Sequence, residues 1–451
     1  MNNKFMIGQI DKIENKVLIL GLINIAILSI GHAYNAGPIL FVSFIGFILL
    51  AIFSPKELFL PIMLFYLPWS PVMKLSPDSF TIYTIILPIF FIYCILGSES
   101  KGTFLVRHNI IILTAFIAFL TLVVKLTLRY KIEPDYFVFT MLLLLIPTYL
   151  KAYHDKILFK TCIVFMTIGT ISACITAEIL MDFPHMLPYI DVYIWEQVGL
   201  IRTSGFYGDS NFYSTHILIS ISGLLILAAS LYGRAFIFSL IGIVVLIYFG
   251  AKSVSKMFLL TLALMLIIWL IAILLLRKNA NKKITIIIGI AGVILFILFS
   301  DMFTDEINYY IFRFGMANDA STLTTGRSDL WLNYISFLSN NPFMMLFGQG
   351  YTQVLPDFNA GSHNTIIQTL YQFGIAGTIL IIFWLREFNK EVIIEAKTNK
   401  TASQICFVVL FGIACFVPWL ALDMLFFDEF FYVTALFFIG QNYIKNQSQD
   451  I

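Results

Sequence analysis

Long apolar runs recur from one end of the chain to the other, and most approach the length of a membrane-spanning helix. A hydrocarbon core about 30 Å thick takes roughly 20 apolar residues per helix. Composition agrees, because 59% of the residues are hydrophobic and only 12% are charged, against about 25% charged in a typical soluble domain. So little polar surface excludes a soluble enzyme, a disordered chain and a secreted disulfide scaffold. The sequence predicts an all-α, polytopic integral membrane bundle of about 12–14 spans.

The runs behind this prediction differ in length and in proline content. They lie near residues 17–33, 37–53, 58–69, 80–96, 109–124, 137–150, 157–181, 212–231, 235–250, 257–276, 284–303, 364–385, 404–421 and 429–443. The runs at 58–69 and 137–150 are short and contain prolines, which favours a broken or re-entrant helix in one or both of them. Twelve is therefore the lower estimate of the number of spans.

Lysine and arginine predict which ends of the helices face the cytoplasm. With a cytoplasmic N-terminus and every run spanning, most of the 28 basic residues fall in inner loops, so we expect both termini inside. The outer side keeps Lys74, Lys125, Arg129, Lys131, Arg202, Lys252, Lys256, Arg313 and Arg327. Lys74 and Lys131 are best interpreted as solvated cations, whereas the last five lie in or beside two long outer loops. A net charge of +2 gives no basic patch for nucleic acid.

The two long outer loops divide the predicted bundle into five segments. Residues 1–181 form N-terminal membrane helices, 182–211 the first long outer loop, and 212–303 the central membrane helices. Residues 304–363 form a large extracytoplasmic loop, and 364–451 the C-terminal membrane helices. Loops longer than about 15 residues in a compact protein are usually functional or disordered. Aromatic residues and glycine turns in both loops predict that they fold over the membrane surface.

Within the larger loop, TTGRSDLWLNYISFLSNNP (324–342) is typical of an amphipathic helix. Thr325 is a plausible N-cap, and the run 340–342 ends the helix. The predicted apolar face comprises Leu330, Trp331, Tyr334, Ile335 and Leu338. Such a face usually packs on the bundle or lies on the membrane. Arg327 falls in the first turn, where a cation opposes the helix dipole, and this misfit favours an anion-binding role.

Polar side chains precede a predicted helix at the end of this loop. GSHNTIIQTLYQFGIAG (361–377) follows the glycine turn FGQGY (347–351) and places His363 and Asn364 where the chain re-enters the membrane. A helix N-terminus has unpaired N–H groups and a partial positive charge, and both attract phosphate. A neutral imidazole there can accept a proton near physiological pH. The alternative is a helix cap at Ser362 or Asn364, with His363 as an interface residue.

The first outer loop ends in a similar way. IRTSGFYGDSNFYSTHI (201–217) places Arg202, two glycines and Asn211 just before another predicted span. Asp209 or Ser210 can cap that helix. The guanidinium group of arginine is suited to bidentate binding of phosphate, which makes Arg202 a candidate ligand of an anion.

Four segments occur in an order that resembles the O-antigen ligase and O-antigen polymerase family of bacterial inner membranes. They are RTSGFYGDSN, then the basic-serine turn AKSVSK (251–256), then TTGRSDLW followed by NPFMMLFGQGY, and then SHNTIIQTLYQFGIAG. The resemblance covers roughly 200–380, and its most specific part is His-Asn…Gly-Ile-Ala-Gly combined with Gly-Gln-Gly. The basic-serine turn of the family often reads Ser-Arg, whereas this chain carries Lys252 and Lys256. A lysine ammonium group is a point charge and lacks the bidentate geometry of a guanidinium group.

The resemblance implies glycosyl transfer from a sugar chain carried on undecaprenyl pyrophosphate. The pyrophosphate leaving group needs cations, and the acceptor hydroxyl must lose a proton, for which His363 is the candidate general base. The candidates for binding pyrophosphate and sugar are Arg202, Lys252, Lys256, Arg327, Asn211 and Asn364. No Asp-x-Asp motif and no His/Cys cluster suggests a metal, so we expect a metal-independent reaction without a cofactor.

We favour a polymerase, which joins lipid-linked repeat units, over a ligase, which transfers the glycan to lipid A-core. Expected partners are the lipid-linked oligosaccharide, membrane lipids, a chain-length regulator and a flippase, but not nucleic acid. A lipid-linked oligosaccharide flippase or another transporter is the alternative from a different class. A transporter should place its charges at the bilayer midplane, whereas the candidate charges of this chain cluster at the outer surface. Glu178 and Asp182, which lie at the end of an apolar run, are the main exceptions. The sequence leaves open the sugars, their linkage, and whether the product is O-antigen, capsule or exopolysaccharide.

Overall fold

The structure of the chain is a computed structural model. It describes residues 2–76, 81–97, 106–190, 192–195, 200–230, 234–275, 304–315, 319, 321, 324, 326–350, 361–392, 401–425 and 427–446. The helices of these residues are α1 (Asn2–Ala33), α2 (Gly37–Phe53), α3 (Phe59–Tyr66), α4 (Ile82–Leu96), α5 (His108–Thr127), α6 (Pro134–Tyr153), α7 (Phe159–Leu180), α8 (Ser210–Ser230), α9 (Arg234–Lys252), α10 (Lys256–Leu274), α11 (Thr304–Gly315), α12 (Arg327–Asn340), α13 (Pro342–Phe347), α14 (Thr365–Val392), α15 (Ala402–Phe416) and α16 (Asp428–Asn446). Short 3-10 turns cover Lys56–Leu58, Leu67–Val72, Pro184–Met186 and Val417–Leu420.

The described part of the chain is a multi-pass helical membrane protein. It contains nine helices that are long and apolar enough to cross a membrane. They are Lys12–Ala33, His108–Thr127, Tyr136–Tyr153, Phe159–Leu180, Ser210–Ala229, Ala235–Lys252, Lys256–Leu274, Thr365–Val392 and Ala402–Leu420. Two shorter apolar helices, α2 and α4, accompany them. The predicted run 284–303 lies outside the described residues, so the total of about 12–14 spans stays a prediction.

The two proline-containing runs have different structures. In the run 58–69, α3 is only eight residues long, all of them are buried, and the chain continues as a 3-10 turn that contains Pro68 and Pro71. This run is therefore interrupted, as its prolines indicate. The run 137–150 lies inside the continuous helix α6, although Pro147 is within it. Of the two runs in which the prolines favoured a break, only the first is interrupted.

The segment 182–211 contains extended structure that the sequence did not predict. After the 3-10 turn, β1 (Val192–Trp195) pairs with β2 (Leu200–Thr203) in a two-stranded sheet. β2 ends seven residues before the start of α8, so it leads the Arg202 segment toward that helix.

The chain forms two compact units that interleave along the sequence. Unit 1 comprises residues 1–98, 153–195 and 201–255, and unit 2 comprises residues 99–152, 196–200 and 256–451. Each unit therefore combines segments that are distant in sequence.

In unit 1, α8 is almost fully enclosed, because nearly all residues of its apolar segment Ser210–Ala229 are buried. Its buried Ser214 and Thr215 donate their hydroxyl hydrogens to backbone carbonyls four residues earlier. This pattern satisfies polar groups inside an apolar environment. The neighbouring helix α7 approaches α3 closely, since a Cβ on Gly169 would lie 2.1 Å from the backbone oxygen of Phe65. A glycine is therefore required where these two helices meet.

In unit 2, α14 is a broken helix. Gly374 has φ 61° and ψ −172°, which is a non-helical conformation in the middle of an apolar segment. The carbonyls of Tyr371 and Gln372 accept hydrogen bonds from the backbone N–H groups of Gln349 and Gly350, both at 2.9 Å. Non-helical backbone at membrane depth requires such internal partners. The Gly-Gln-Gly turn thus donates hydrogen bonds to the carbonyl groups beside the break at Gly374.

At one end of unit 2, an ion pair network joins three helices. Glu391 of α14 accepts a hydrogen bond from the backbone N–H of Arg107 at 2.7 Å, and its other oxygen lies 3.8 Å from Nζ of Lys151 on α6. Arg107 precedes α5 directly. The start of α5 and the ends of α6 and α14 therefore lie at one end of this unit. This agrees with the charge pattern, which predicts that Arg107 and Lys151 lie on the same side of the membrane.

Candidate functional site

The seven predicted site residues divide between the units. Arg202, Asn211 and Lys252 belong to unit 1, whereas Lys256, Arg327, His363 and Asn364 belong to unit 2. Within each unit, most of these residues converge with segments that are far away in sequence. We call the first group the arginine cluster (Arg202, Ser210, Asn211, Ser253 and Ser255) and the second the histidine cluster (Arg327, Trp331, Ser362, His363, Asn364 and Asp423).

In the arginine cluster, Arg202 joins the end of the first outer loop to the basic-serine turn. Its Nε donates to the backbone oxygen of Ser253 at 2.8 Å, and its terminal nitrogen donates to the hydroxyl of Ser210. Asn211 is buried, and its Oδ1 accepts a hydrogen bond from the hydroxyl of Ser255 at 2.6 Å. Two of the four segments that carry the family resemblance therefore form one hydrogen-bonded structure.

Asp209, one of the two predicted cap residues, caps the start of α8 beside Arg202. Asp209 precedes α8, and its Oδ1 accepts the backbone N–H of Asn211 at 2.6 Å. A carboxylate in this position satisfies an unpaired N–H group and complements the positive end of the helix.

Lys252 has a partner within unit 1 that the sequence did not indicate. Its Nζ lies 2.7 Å from Oε1 of Glu178 and 4.7 Å from the ring centroid of Tyr248. Both members of this ion pair are about a quarter exposed (27% and 28%). The carboxylate offsets the positive charge of Lys252, which weakens the argument that its ammonium group binds pyrophosphate. The other lysine of the turn, Lys256, begins α10 in unit 2, where its Nζ lies 5.5 Å from the ring centroid of Phe314.

In the histidine cluster, the carboxylate of Asp423 is the central acceptor. It accepts three hydrogen bonds, from the hydroxyl of Ser362 at 2.7 Å, the backbone N–H of His363 at 3.0 Å and the backbone N–H of Asn364 at 2.9 Å. Asp423 follows α15 and its 3-10 turn. Sequence reasoning missed this residue, although an acid between two apolar runs on the predicted outer side was a usable signal.

His363 is half-buried and has left-handed backbone geometry, with φ 50°. Residues other than glycine rarely adopt this geometry, and it is often found at functional sites. In unit 1, Val254 of the basic-serine turn also has a positive φ, of 45°, which is a genuine outlier for a β-branched residue. One residue with a positive φ therefore belongs to the histidine cluster, and the other lies between Ser253 and Ser255 of the arginine cluster.

The helix that follows His363 is capped by Asn364. Its Oδ1 accepts the backbone N–H groups of Ile366 and Ile367 at 3.0 and 3.2 Å, and its Nδ2 lies 3.4 Å from the backbone oxygen of Leu420. Protein acceptors thus occupy four N–H groups at the start of α14, because those of His363 and Asn364 donate to Asp423. This finding confirms the alternative of an Asn364 cap. It also leaves those four groups unable to bind phosphate as well.

Helix α12 brings Arg327 to the same region. Trp331 donates its indole N–H to the backbone oxygen of Ser362 at 2.8 Å, and a guanidinium nitrogen of Arg327 donates to the backbone oxygen of Ala421 at 2.7 Å. Arg327 thus lies next to the Asp423 segment. The other two segments that carry the resemblance form this cluster within unit 2.

The predicted boundaries of α12 are partly correct. The helix ends at Asn340 as expected. Its N-cap is Gly326, with φ 80°, so Thr325 is not the cap residue; Thr325 itself lies outside the described residues. Instead, the hydroxyl of Thr324 accepts the backbone N–H of Ser328 at 3.0 Å.

The predicted apolar face of α12 needs one correction. Tyr334 and Leu338 are buried against Tyr371 of α14. Ile335 is 50% exposed, and Phe337 packs against these three side chains in its place. The face that contacts the bundle is thus rotated from the predicted one. It still fixes the helix that carries Arg327.

No model of a known protein family matches this sequence, and a search of curated proteins finds no match. The features of the chain that bear on its function are therefore the four motif segments and the two clusters that they form.

Proposed function

We propose that the chain is a glycosyltransferase that polymerises undecaprenyl-pyrophosphate-linked repeat units into a surface polysaccharide at the outer face of a bacterial inner membrane. One observation carries this proposal. The four segments that resemble the O-antigen polymerase and ligase family fold in two pairs, and each pair forms one hydrogen-bonded cluster. Segments that serve unrelated purposes have no reason to combine in this way.

The proposed reaction uses the candidate residues in two roles, as general base and as stabiliser of the leaving group. The acceptor hydroxyl attacks the anomeric carbon of the donor sugar and loses its proton to the imidazole of His363. The bond between that carbon and the pyrophosphate oxygen breaks, and undecaprenyl pyrophosphate leaves with the bonding electron pair. The guanidinium group of Arg327, which belongs to the same cluster as His363, stabilises the charge that develops on the leaving group. It is already oriented by a hydrogen bond to the backbone carbonyl of Ala421.

The orientation of the chain follows from the same proposal. Both termini lie in the cytoplasm, and the large loop 304–363 lies outside the inner membrane. A flippase delivers the lipid-linked unit to that side, and a chain-length regulator sets the length of the polymer. These partners are part of the proposal.

The test is an assay of purified protein in liposomes that contain the lipid-linked repeat unit. His363→Ala should reduce turnover by about 10²–10⁴-fold, the usual range for a general base, with donor binding retained. His108→Ala is the matched control, because His108 is exposed at the start of α5 and has no role in the clusters. Equal turnover of the two variants would remove His363 from the mechanism. Loss of donor binding with His363→Ala would make this residue structural.

The same liposomes separate the polymerase from the other two functions. A polymerase elongates lipid-linked units in the absence of lipid A-core. A ligase requires lipid A-core as acceptor. A flippase moves the lipid-linked unit across the bilayer without forming a glycosidic bond. Transfer seen only with lipid A-core, or translocation alone, would overturn the polymerase proposal.

A further inference from the structure

Lys125 is a buried cation that the proposed reaction does not use. It lies near the end of α5, a helix that is long and apolar enough to span a membrane, and it is only 4% exposed. Charged side chains inside membrane-spanning helices are costly and are usually functional. The sequence places Lys125 on the outer side, but it lies before the segments that carry the family resemblance.

The side chain of Lys125 lies against the Gly-Gln-Gly turn. A Cβ on Gly350 would lie 2.8 Å from its Cγ and 3.1 Å from its Cδ and Cε. Gly350 also has φ 76°, so both its backbone geometry and the space beside it require glycine. The turn itself is held on α14 by the N–H groups of Gln349 and Gly350. The second glycine of this motif thus makes room for Lys125.

The ammonium group of Lys125 points toward the short connection between α5 and α6. Its Nζ lies 5.6 Å from the ring centroid of Tyr130, which is 41% exposed. Glu133, Thr121 and Tyr136 lie around the same side chain. Glu133 is exposed and is a favourable electrostatic neighbour of Lys125. The buried stem of Lys125 therefore carries its ammonium group to the connection between the two helices, beside the exposed residues Tyr130 and Glu133.

The adjacent Gln349 supplies a second polar group on the same turn. The residue is 2% exposed, and its Nε2 lies 3.2 Å from the sulfur of Met344. Its Oε1 is buried and accepts no hydrogen bond from any residue that the structure describes. Buried acceptors are normally satisfied, so this oxygen favours a donor from a ligand, such as a sugar or lipid hydroxyl.

We propose that Lys125 binds the phosphate group of a phosphorylated lipid at the outer membrane surface. The inference rests on the proposed function, in which that lipid is the polyprenyl diphosphate carrier. Phosphate is the group that all such lipids share, and a lysine ammonium binds it as a point charge. Glu133 competes for the same ammonium group when the lipid is absent. An anionic phospholipid is the other source of this chemistry, and the experiment distinguishes the two.

The experiment measures binding of farnesyl diphosphate to the full chain in nanodiscs of neutral phosphatidylcholine. Lys125→Met should weaken binding by about 10- to 100-fold, the range of a charge-assisted contact, and Lys125→Arg should retain it. The matched control is Lys131→Met, which removes an exposed lysine of the same connection and should leave the affinity unchanged. Thermal unfolding of each variant shows whether it is folded. Equal affinity of Lys125→Met and wild type would overturn the proposal.

Glu133→Gln tests the proposal even if Lys125→Met fails to fold. Removal of the competing carboxylate should leave the affinity for farnesyl diphosphate unchanged or raise it. Weaker binding with Glu133→Gln would instead show that Lys125 serves an ion pair, and would overturn the proposal. Farnesol, which has no phosphate, should not bind in a Lys125-dependent way. Farnesol binding that falls equally with Lys125→Met would likewise contradict a phosphate contact.

A second series replaces part of the phosphatidylcholine with phosphatidylglycerol. If the carrier is the ligand, phosphatidylglycerol should not displace farnesyl diphosphate from wild type. Displacement that disappears in Lys125→Met would assign the phosphate contact to a phospholipid headgroup and contradict the carrier as the ligand. The polymerisation assay is independent of these outcomes. Active polymerisation with unchanged binding in Lys125→Met refutes only the Lys125 proposal, whereas Lys125-dependent binding without polymerisation refutes only the proposed function.

Discussion

Replacing Asp423 with asparagine separates the charge of this side chain from its shape. The carboxylate accepts hydrogen bonds from Ser362, His363 and Asn364 at 2.7–3.0 Å. The amide retains one acceptor oxygen, which can still serve Ser362 and Asn364 because both donate to Oδ1. The amide nitrogen then faces the backbone N–H of His363, and two donors cannot pair. The variant therefore removes the hydrogen bond from the His363 backbone N–H to this side chain.

The magnitude follows from these contacts. A hydrogen bond to a charged group contributes about 1.5–3 kcal/mol, and leaving a buried donor unsatisfied has a cost of similar size. The three contacts share one carboxylate and are not additive, so we expect Asp423→Asn to destabilise the protein by about 2–4 kcal/mol. Turnover should fall further than this loss of stability explains, because the left-handed conformation of His363 loses its support.

The assay compares thermal unfolding and turnover for Asp423→Asn and for Asp155→Asn. Asp155 is the matched control, since its side chain is 70% exposed and lies outside both clusters. At a temperature where Asp423→Asn is fully folded, its turnover should remain at least about 10-fold below that of the control, equivalent to about 1.4 kcal/mol. Wild-type turnover in folded Asp423→Asn would refute the view that this carboxylate positions His363.

Three other outcomes are expected. Arg327→Ala should reduce the amount of polymer about 10- to 100-fold while the protein still inserts into the membrane. Arg327→Lys should not restore it, because an ammonium group cannot bind phosphate in the bidentate way of a guanidinium group. Full polymer length and amount in both variants would exclude a phosphate role. Gly374→Ala should yield little folded protein by gel filtration in detergent. A positive φ costs a residue with a side chain about 1–3 kcal/mol, and the new Cβ would lie 2.5 Å from the backbone nitrogen of Gly348. Gly37→Ala, at a position with open space, is the control that should fold normally. A cysteine at position 319 should be labelled by an impermeant reagent without opening the inner membrane, and one within 386–403 should not; the reverse pattern would overturn the predicted orientation.

Much of the helical fold was predictable because apolar runs and helix caps are local properties of the sequence. The end of α12 at Asn340 and the caps at Asp209 and Asn364 each depend on a few consecutive residues. Their side chains satisfy N–H groups within the same turn of helix, so no knowledge of the fold was needed. The length of α6 was harder to predict, because Pro147 is tolerated within a helix of 20 residues.

The break in α14 shows what the sequence alone did not reveal. Gly374 lies in an apolar run that is typical of an uninterrupted span, and nothing local distinguishes it from a helical glycine. The break becomes possible because Gln349 and Gly350, more than twenty residues earlier, donate to the carbonyls of Tyr371 and Gln372. The roles of Asp423 and Glu178 depend on similarly distant partners. Side chains and turns that pair across such distances have no periodic signature.

The start of α14 changes the expected location of the pyrophosphate. The sequence offered the N–H groups of this helix as part of an anion site, with a cap at Asn364 as the alternative, but a carboxylate and the Asn364 cap already occupy four of these groups. A phosphate at the same N–H groups would displace these hydrogen bonds and would be repelled by Asp423. The proposed function therefore assigns phosphate binding in unit 2 to cationic side chains, such as Arg327 and Lys125, rather than to these backbone amides. Backbone amides bind phosphate irrespective of side-chain identity, whereas this arrangement makes binding depend on the charge and shape of each cation.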